Sequence, residues 1–359
     1  MSKLMVGLSG GVDSAVAAAL LVEQGHEVVG GYMKNWMNDE GIPGDCPWER
    51  DIEDAHAVAK TLGIEFRVID LVEQYKHRIV EYLVNGYEEG LTPNPDVWCN
   101  REMKFGVFLD YALSQGFEAV GTGHYARRRV LSNGQAAILR GADPNKDQSY
   151  FLSLMTSHQV EHARFPTGEM LKPEVRDVAR RFSLPVAEKK DSQGICFLGQ
   201  VRMSDFLAHY LPDKPGDIVD TEGRVMGRHR GLHFYTIGQR KGHGVASPRE
   251  GMAYVVIGKK AAENQLVIGW DREDTEGLYR RECVVGAISS INESIPSLKR
   301  AEAQPRYRAK AEQIKLEAWE GGRVRLMFGK PQRALVAGQI MAFYDGGRLL
   351  GGGVVEEVL

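Results

Sequence analysis

Short apolar runs alternate with longer segments of helical periodicity over the first 125 positions. The apolar runs predict strands at 3–8, 27–33, 64–70 and 118–123. The longer segments predict helices at 13–24, 48–62, 71–87 and 101–115, most of them followed by a glycine, which is a common helix stop. This alternation of strand and helix is typical of a parallel, doubly wound sheet.

Around residue 200 the pattern changes to short alternating segments separated by turns that contain glycine or proline. After a short predicted helix at 203–210, strands are expected near 282–288, 304–317, 323–328 and 334–344. Several short strands at this spacing are typical of small barrels. We therefore expect an α/β fold with a doubly wound, mainly parallel sheet in residues 1–202, followed by two small β-rich, barrel-like domains at 203–275 and 276–359.

The glycine-rich sequence GLSGGVDS, residues 7–14, lies between the first predicted strand and the first predicted helix. Its adjacent glycines would let the backbone approach a ligand, and the N–H groups at the start of the helix would form a nest for pyrophosphate. A phosphate-binding P-loop carries a lysine here, and this loop has none. Charge neutralisation would then depend on backbone dipoles and on Mg²⁺ oriented by Asp13, which suits pyrophosphate held as a leaving group. The alternative is an ordinary turn in which an Asp or Ser side chain caps the helix.

Three segments are expected to share one crevice, because ligands of doubly wound sheets bind at the carboxyl ends of the strands. These segments are residues 7–14 after the first strand, Met33 at the end of the second, and residues 121–124 after a later strand.

Composition restricts the class of protein. With 359 residues, 43% hydrophobic and 26% charged, the chain is an ordinary globular protein of two or three domains. No apolar run approaches the roughly 18–20 residues of a membrane span, so we expect a cytoplasmic protein. The net charge of −3 means that nucleic acid would have to be met by local basic faces.

The four cysteines are widely separated, without a C-x-x-C pair, which argues against a disulfide framework or a zinc ribbon. Cys99 lies in TPNPDVWCNREMK, interpreted as a loop leading into a helix, where Arg101, Lys104 and the helix N-terminus would lower the thiol pKa. Cys196 lies in DSQGICFLG, just after Lys189 and Lys190. These two thiols could serve as a sulfur carrier and a partner nucleophile.

The other two cysteines, Cys46 and Cys283, are interpreted as small buried hydrophobic residues. An iron–sulfur site would need a third cysteine near Cys99 and Cys196, and only Cys46 could supply one.

The segment SGGVDS, in this position, resembles the PP-loop ATP pyrophosphatases, which adenylylate an oxygen and release pyrophosphate. That resemblance covers the first domain and leaves the acceptor open. Further segments resemble the MnmA family of bacterial tRNA-specific 2-thiouridylases along essentially the whole chain. They are TPNPDVWCNREMKF, GTGHYAR, DPNKDQSYFL, DSQGICFLG, GLHFYTIGQRKG and LVAGQIMAFYDGGRLLGGG.

This resemblance implies ATP and Mg²⁺ as cofactors, with the wobble uridine of a tRNA anticodon stem-loop and a persulfide donor protein as partners. It makes Cys99 the nucleophile and Cys196 the persulfide carrier, with Asp13 a further catalytic residue. The residues implied to bind ATP are Gly7, Leu8, Ser9, Gly10, Gly11, Val12, Asp13, Ser14, Met33 and Gly123. Contact with the target base is implied for Asn94, Pro95 and Asp96, and contact with tRNA for His124, Lys146, Asp147, Gln148, Arg306, Tyr307 and Gln339.

The implied reaction is adenylylation of the uridine C2 oxygen, followed by sulfur transfer and closure of a disulfide between the two cysteines. Their Cα atoms must then approach to within about 7 Å, which predicts a movable loop around Gly194. Basic residues near Tyr307 and at 127–129 suit contact with RNA. Three positions depart from the family pattern, Ala15, Pro305 and Ala337.

Two other functions stay open from the sequence. One is a PP-loop synthetase that acts on a small metabolite and uses both cysteines structurally. The other is an RNA-binding protein that uses a nucleotide as a switch. Only the first alternative would turn over ATP without RNA.

Overall fold

The computed structural model describes residues 1–37, 41–42, 48–190, 201–247 and 251–359. Cys46, Cys196 and the predicted movable loop around Gly194 lie outside these described residues. None of the described helices is both long and apolar enough to cross a membrane.

The helices are α1 (Val12–Glu23), α2 (Trp48–Leu62), α3 (72–88), α4 (95–114), α5 (Ser157–Glu161), α6 (Lys172–Arg181) and α7 (Met203–Tyr210). The middle turns of α3 and α4, Lys76–Val80 and Asn100–Val107, have π-helical hydrogen bonding.

The strands are β1 (Lys3–Gly7), β2 (Glu27–Lys34), β3 (Glu65–Asp70), β4 (Ala119–Gly121), β5 (Ala126–Val130), β6 (Ala136–Arg140), β7 (Ala163–Arg164), β8 (Gly216–Val219), β9 (Val225–His229), β10 (Tyr254–Lys260), β11 (Gln265–Trp270), β12 (Tyr279–Ser290), β13 (Arg300–Gln304), β14 (Glu312–Ala318), β15 (Val324–Arg333), β16 (Ile340–Asp345) and β17 (Arg348–Val358).

The first sheet is parallel and has the strand order β3-β2-β1-β4-β7. The chain moves outward from β1 to β3 and then returns to β4 on the other side of β1. Strand order therefore reverses between β1 and β4, which is where a doubly wound sheet binds its ligand. The predicted fold of this region is confirmed, including the placement of residues 7–14 at that point.

Both faces of this sheet are covered, as its apolar strands require. Leu4 and Val6 pack with α1 and α2 on one face, whereas Met5 packs on the other face with Phe108 and Leu109 of α4. The two faces carry different parts of the site, because α1 begins at the glycine-rich loop and α4 carries Cys99.

Helix α4 begins six residues earlier than the predicted start at 101. Asn94 caps it by accepting a 3.1 Å hydrogen bond from the backbone N–H of Val97, and Pro95 occupies the first helical position. An Asn cap followed by proline is a helix start signal. The interpretation of this segment as a loop was wrong, because its prolines lie at and before the helix start and do not interrupt the helix.

The C-terminal strands form a closed six-stranded barrel, since β12 pairs with both β15 and β17 in the order β12-β15-β14-β13-β16-β17. Strand β17 also pairs with β6, so the β5–β6 hairpin extends the barrel sheet. A separate sheet of order β10-β11-β8-β9 precedes the barrel. The expected β-rich regions are confirmed.

Two predicted strands of the barrel were wrong in extent. The segment 304–317 is divided between β13 and β14 by a turn in which Arg308 has a positive φ of 64°. The segment 334–344 begins with a turn, and its strand starts only at Ile340. Apolar residues continue through both turns, alternating in 305–311 and consecutive in 334–337, so the apolar pattern alone did not reveal them.

The barrel is fastened to the helical region by close backbone contact. The N–H of Thr92, just before α4, donates to the carbonyl of Ala337 at 2.9 Å. Gly338 has φ +89°, and a Cβ atom there would lie 2.6 Å from the Thr92 nitrogen. This glycine therefore permits a contact that no other residue would allow.

We predict that Gly338→Ala lowers the free energy of unfolding by about 2 kcal/mol or more, since it adds strain from a positive φ to a backbone clash. Gly329→Ala is the matched control, because a Cβ atom at Gly329 meets nothing within 4 Å. Urea unfolding of both variants checks this. Equal stability of the two variants would contradict the described contact.

Candidate active site

The glycine-rich loop is held by its own serines, and the helix after it lacks a side-chain cap. The Ser14 hydroxyl accepts from the Ser9 N–H at 3.1 Å and donates to the Gly11 carbonyl at 3.0 Å. Gly11 is the N-cap residue of α1 and makes no side-chain cap hydrogen bond. The Asp or Ser cap that the alternative of an ordinary turn requires is therefore absent from this helix start. A helix start without a side-chain cap is suited to binding phosphate groups.

Backbone segments approach this loop so closely that only glycine fits. A Cβ atom on Gly10, whose φ is +72°, would lie 2.6 Å from the carbonyl oxygen of Asp51 in α2. A Cβ atom on Gly123 would lie 2.4 Å from the carbonyl carbon of Asp13. The loop is thus packed between the start of α2 and the segment that follows β4.

The three segments expected to share a crevice do lie together. Met33, near the end of β2, places its Cε atom 3.3 Å from the position of a Cβ atom on Gly7. The N–H of Leu8 continues the parallel pairing by donating to the Gly31 carbonyl at 2.9 Å. Gly123 packs on the first turn of α1, as described above.

Two lysines from distant parts of the sequence reach the loop, although the loop itself contains none. Lys172 Nζ lies 2.6 Å from Asp13 Oδ1. Lys189 Nζ donates to the Gly10 carbonyl at 3.0 Å and also pairs with Asp51 and Asp54. Sequence reasoning missed Lys172 because it lies 159 residues from its partner and within no recognised motif.

Asp13 projects from the first turn of α1 and is held by two donors. The Tyr125 hydroxyl donates to Asp13 Oδ1 at 2.8 Å, and Lys172 donates to the same oxygen. Neither of these bonds uses Oδ2. Asp13 is therefore fixed in position at the open end of the helix.

Cys99 is fully buried, with 0% of its surface exposed, in the fifth position of α4. The expected lowering of its thiol pKa by a following helix N-terminus was wrong in its premise, because Cys99 lies beyond the first helical turn, where the dipole acts. Arg101 pairs with Glu102 at 3.2 Å and lies over the Trp98 ring. Its charge is therefore partly balanced by a carboxylate.

Helix α4 connects Cys99 to the nucleotide crevice. Phe108 of this helix packs against Gly7 and Gly31, with ring carbons 3.6 and 2.8 Å from the respective Cβ positions. Nine residues separate it from Cys99, which corresponds to about 13 Å along a helix. Helix α4 therefore carries the Cys99 thiol and also packs on strands β1 and β2, next to the glycine-rich loop.

The residues implied to contact the target base form the start of α4. Asn94 Oδ1 is used as the cap, and the Asn94 N–H donates to the Tyr82 hydroxyl at 3.3 Å. Pro95 and Asp96 are half-buried in the first turn. Their contact with a base stays a prediction.

His124 is 8% exposed and packs between Phe105 and Phe165, while its Nδ1 atom lies 2.8 Å from the Thr122 hydroxyl. Burial, followed by the charge of Lys104, holds its pKa well below the ordinary value. Its contact with tRNA stays a prediction, and in this conformation the ring packs inside the protein.

The segment from Lys146 to Gln148 is largely committed to internal contacts. The Asp147 carboxylate accepts from the N–H groups of Gly141 and Ser149 and from Arg140. Gln148 Oε1 accepts from the Tyr125 N–H at 3.0 Å. Lys146 is half-buried. The nearby basic run also makes internal bonds, since Arg127, Arg128 and Arg129 bond to carbonyls or to Glu169.

Of the barrel residues implied to contact tRNA, Arg306 and Tyr307 lie in the turn between β13 and β14, and Gln339 lies just before β16. Tyr307 packs on Phe151 with ring centroids 4.4 Å apart, and the exposed Arg308 lies over the Tyr307 ring. Arg306 is half-buried, donates to the Arg333 carbonyl, and has its pKa lowered by burial and by Arg333. Gln339 Oε1 is buried and accepts no hydrogen bond from the described residues.

A parallel sheet with a glycine-rich, lysine-free loop at its switch point defines the class of PP-loop nucleotide-binding enzymes, and enzymes of this class use ATP. Family models agree along the chain. Residues 2–200 match the "tRNA methyl transferase HUP domain", 204–270 the "tRNA methyl transferase PRC-barrel domain" and 280–355 the "Aminomethyltransferase beta-barrel domain".

Relatives match over the full length. A protein of Akkermansia muciniphila described as "tRNA-specific 2-thiouridylase MnmA" is 67% identical over 100% of this chain and 99% of its own. A Pseudomonas entomophila protein of the same description is 46% identical over 99% of this chain and 95% of its own. A solved structure of NMN synthetase from Francisella tularensis is 17% identical, with a TM-score of 0.32 over 53% of this chain and 66% of its own.

The chain therefore belongs to the tRNA-specific 2-thiouridylase family, and it is a tRNA sulfurtransferase. The family models carry the word methyl transferase in their descriptions, whereas the full-length relatives are described as thiouridylases. The relatives decide the activity, because their identity extends over all three regions.

We predict that Gly10→Ala lowers the free energy of unfolding by about 2 kcal/mol or more and reduces ATP turnover, because strain at a positive φ combines with a clash against Asp51. Gly25→Ala is the matched control, since Gly25 has φ +82° but open space around its Cβ position. It should cost about 1 kcal/mol and keep activity. Urea unfolding and pyrophosphate release measure both effects, and an equal loss in the two variants would contradict the packed loop.

We predict that His124 makes stability fall in acid. Its pKa is lower in the folded state, so below about pH 6.5 the unfolded chain binds a proton that the folded chain does not. The free energy of unfolding should therefore fall by about 1.4 kcal/mol per pH unit on this account, from about pH 6.5 down to the folded pKa. His124→Gln should remove that slope, and the exposed His77→Gln should keep it. Unfolding measured between pH 5 and 7 tests this, and an unchanged slope in His124→Gln would refute it.

Proposed function

We propose that this tRNA 2-thiouridylase acts on the wobble uridine, U34, and activates it by adenylylation before sulfur is transferred. The proposal is carried by the uncapped start of α1, which packs against Gly123. Helix α4, which contains Cys99, packs through Phe108 on the strand that leads into this loop. The loop offers a site for pyrophosphate, and the thiol offers sulfur chemistry. The relatives support the overall activity, and the proposal adds the order of its chemical steps.

The first half-reaction makes the C2 carbonyl of uridine reactive. The C2 oxygen attacks the α-phosphorus of ATP, and pyrophosphate leaves while held by the N–H groups of the first turn of α1. The ATP-binding residues proposed are those of residues 7–14 together with Met33 and Gly123. The product carries AMP on the former carbonyl oxygen, which converts a poor leaving group into a good one.

The second half-reaction replaces that oxygen by sulfur. The terminal sulfur of a persulfide on Cys196, supplied by a donor protein, attacks C2 and displaces AMP. The Cys99 thiolate then attacks the Cys196 sulfur, which forms a disulfide and releases 2-thiouridine. The alternative order releases hydrosulfide to attack C2. In both, a cellular thiol reductant must restore the two thiols.

Cys99 must become accessible during this cycle, because its side chain has no exposed surface in the described conformation. A uridine flipped out of the anticodon loop can reach the thiol only after the residues that cover it move. Unstacking costs a few kcal/mol, less for a loop base than for a duplex base. Contacts of Asn94, Asp96, Tyr307 and Gln339 with RNA are proposed to supply that energy.

Mg²⁺ is proposed to enter with ATP. The described residues contain no group of three or more His, Cys, Asp or Glu side chains that could hold a metal by themselves. Mg²⁺ commonly uses one or two carboxylates plus substrate phosphates. Asp13 fits this use, because Tyr125 and Lys172 both donate to its Oδ1 atom and neither of these bonds involves Oδ2. The metal would neutralise phosphate charge there.

We propose three domains with the boundaries 1–202, 203–275 and 276–359, and a cytoplasmic location. The pairing of β17 with β6 joins the first and third of these regions in one sheet, and we propose that tRNA binds across both.

We predict that Cys99→Ser and Cys196→Ser each abolish 2-thiouridine formation while tRNA-dependent pyrophosphate release persists at least in part. Cys283→Ala is the matched control and should keep thiolation, because Cys283 is buried in the barrel and burial raises its thiol pKa to about 12. Nucleoside analysis of the tRNA by mass spectrometry measures the product. Robust thiolation by either serine variant would sink the two-thiol scheme.

One incubation separates this proposal from the alternatives. The protein is given ATP, Mg²⁺, a sulfur source and unmodified tRNA, and the products AMP, pyrophosphate and thiolated nucleoside are measured. Pyrophosphate release without tRNA, on addition of a small metabolite, would indicate the synthetase. Nucleotide binding without pyrophosphate release would indicate a switch.

A further inference from the structure

We propose that the junction of the three regions of the chain contains a binding site for a small organic carboxylate, anchored by Lys259. A cavity with a volume of about 420 Å³ lies there, and residues of all three regions line it. Small-molecule sites commonly have volumes of roughly 300–1,000 Å³. Among the described residues that line the cavity, none belongs to the glycine-rich loop and none is Cys99, so this site goes beyond the proposed function.

The walls of the cavity are held by packing between the regions. Thr92 and Ala337 both line it, and the Thr92 N–H donates to the Ala337 carbonyl at 2.9 Å. Ile257 of β10 and Leu335, in the turn before β16, supply apolar side chains that are 9% and 4% exposed. An apolar lining with a few polar groups is typical of sites for small organic ligands.

Lys259, on β10, brings a positive charge into this lining. Its ammonium donates to the carbonyl of Gly90, two residues after the end of α3, at 3.2 Å. An ammonium group has three hydrogens, and this carbonyl is the one acceptor that the described residues provide. Burial lowers the pKa of Lys259 to about 8, because no carboxylate among these residues offsets the lost hydration. The ammonium is therefore charged at neutral pH in a place that favours an added anion.

The other charged residues of the cavity restrict which anion fits. Arg280, at the start of β12, adds a second cation to the lining. Glu356 and Glu357, near the end of β17, line the cavity as well, and Glu356 lies 3.8 Å from Arg323. The two glutamates oppose a polyanion such as an RNA backbone or a triphosphate. The cavity therefore suits a ligand with one negative charge and a short aliphatic part.

Calorimetric titration of the whole protein at neutral pH with pentanoate tests the site, because pentanoate joins one carboxylate to a butyl chain. We expect saturable binding of one pentanoate per chain. Acetate, which lacks the aliphatic part, and inorganic phosphate, which carries more charge, should each bind at least fivefold more weakly. Butylamine has the same butyl chain with the opposite charge and should not bind measurably.

Lys259→Met should weaken pentanoate binding about tenfold or more, since it removes a charge-assisted hydrogen bond. Lys259→Arg should recover part of the loss, because it keeps the charge. Lys260→Met is the matched control, since Lys260 is the next residue of β10 and is exposed. It should bind pentanoate within twofold of the wild type. If urea unfolding shows that Lys259→Met is unstable, Arg280→Gln takes its place, with a loss of at least fivefold expected.

Absence of saturable pentanoate binding by the wild type would overturn the proposal and would leave Lys259 as a brace for the end of α3. Equal affinity in Lys259→Met and Lys260→Met would overturn it as well, and so would tighter binding of phosphate than of pentanoate. Failure of the proposed uridine chemistry is distinguishable, because the protein would then bind pentanoate yet produce no 2-thiouridine with tRNA.

Discussion

The close approach of three backbone segments at the start of α1 is the constraint on which the rest of the site depends. Gly10 lies against Asp51, and Gly123 lies against Asp13, at distances that exclude any side chain. Because of this packing, the start of α1 is held between β1, α2 and the segment after β4. In the proposed reaction a loop held in this way would bind pyrophosphate without reorganising, which is the condition for electrostatic stabilisation of a leaving group.

Helix α4 extends that constraint to the sulfur chemistry. Its middle, at Phe105 and Phe108, packs on His124 and on the glycines of β1 and β2. Its N-terminal part carries the cap residue Asn94, then Asp96 in the first turn and Cys99 at the fifth position. In the proposed reaction, AMP is transferred to the C2 oxygen and sulfur is added to C2, so both steps act on one carbonyl group of one base. A single helix between the two groups keeps their separation nearly constant, so we expect the base and the residues that cover Cys99 to move during the proposed reaction.

Sequence patterns predicted the parallel sheet, its helices and the shared crevice, because glycine stops and apolar periodicity are local signals. They did not predict Lys172 or the bracing of Gly10 by Lys189, because both depend on packing between elements more than 150 residues apart. The Asn94-Pro95 helix start was readable from the sequence but was interpreted as a loop because of the neighbouring prolines. The internal use of Asp147 could not be inferred, since its partners Arg140 and Gly141 meet it only when the β5–β6 hairpin folds.

The central claim is that uridine is activated at its C2 oxygen by transfer of AMP, and an isotope experiment tests it most directly. A tRNA labelled with ¹⁸O at C2 of the wobble uridine is thiolated with unlabelled ATP, and the AMP is examined by mass spectrometry. The account predicts one ¹⁸O atom in the phosphate of AMP for each 2-thiouridine formed, because the oxygen leaves bonded to phosphorus. Unlabelled AMP accompanied by 2-thiouridine would contradict it, since the oxygen would then have left by another route.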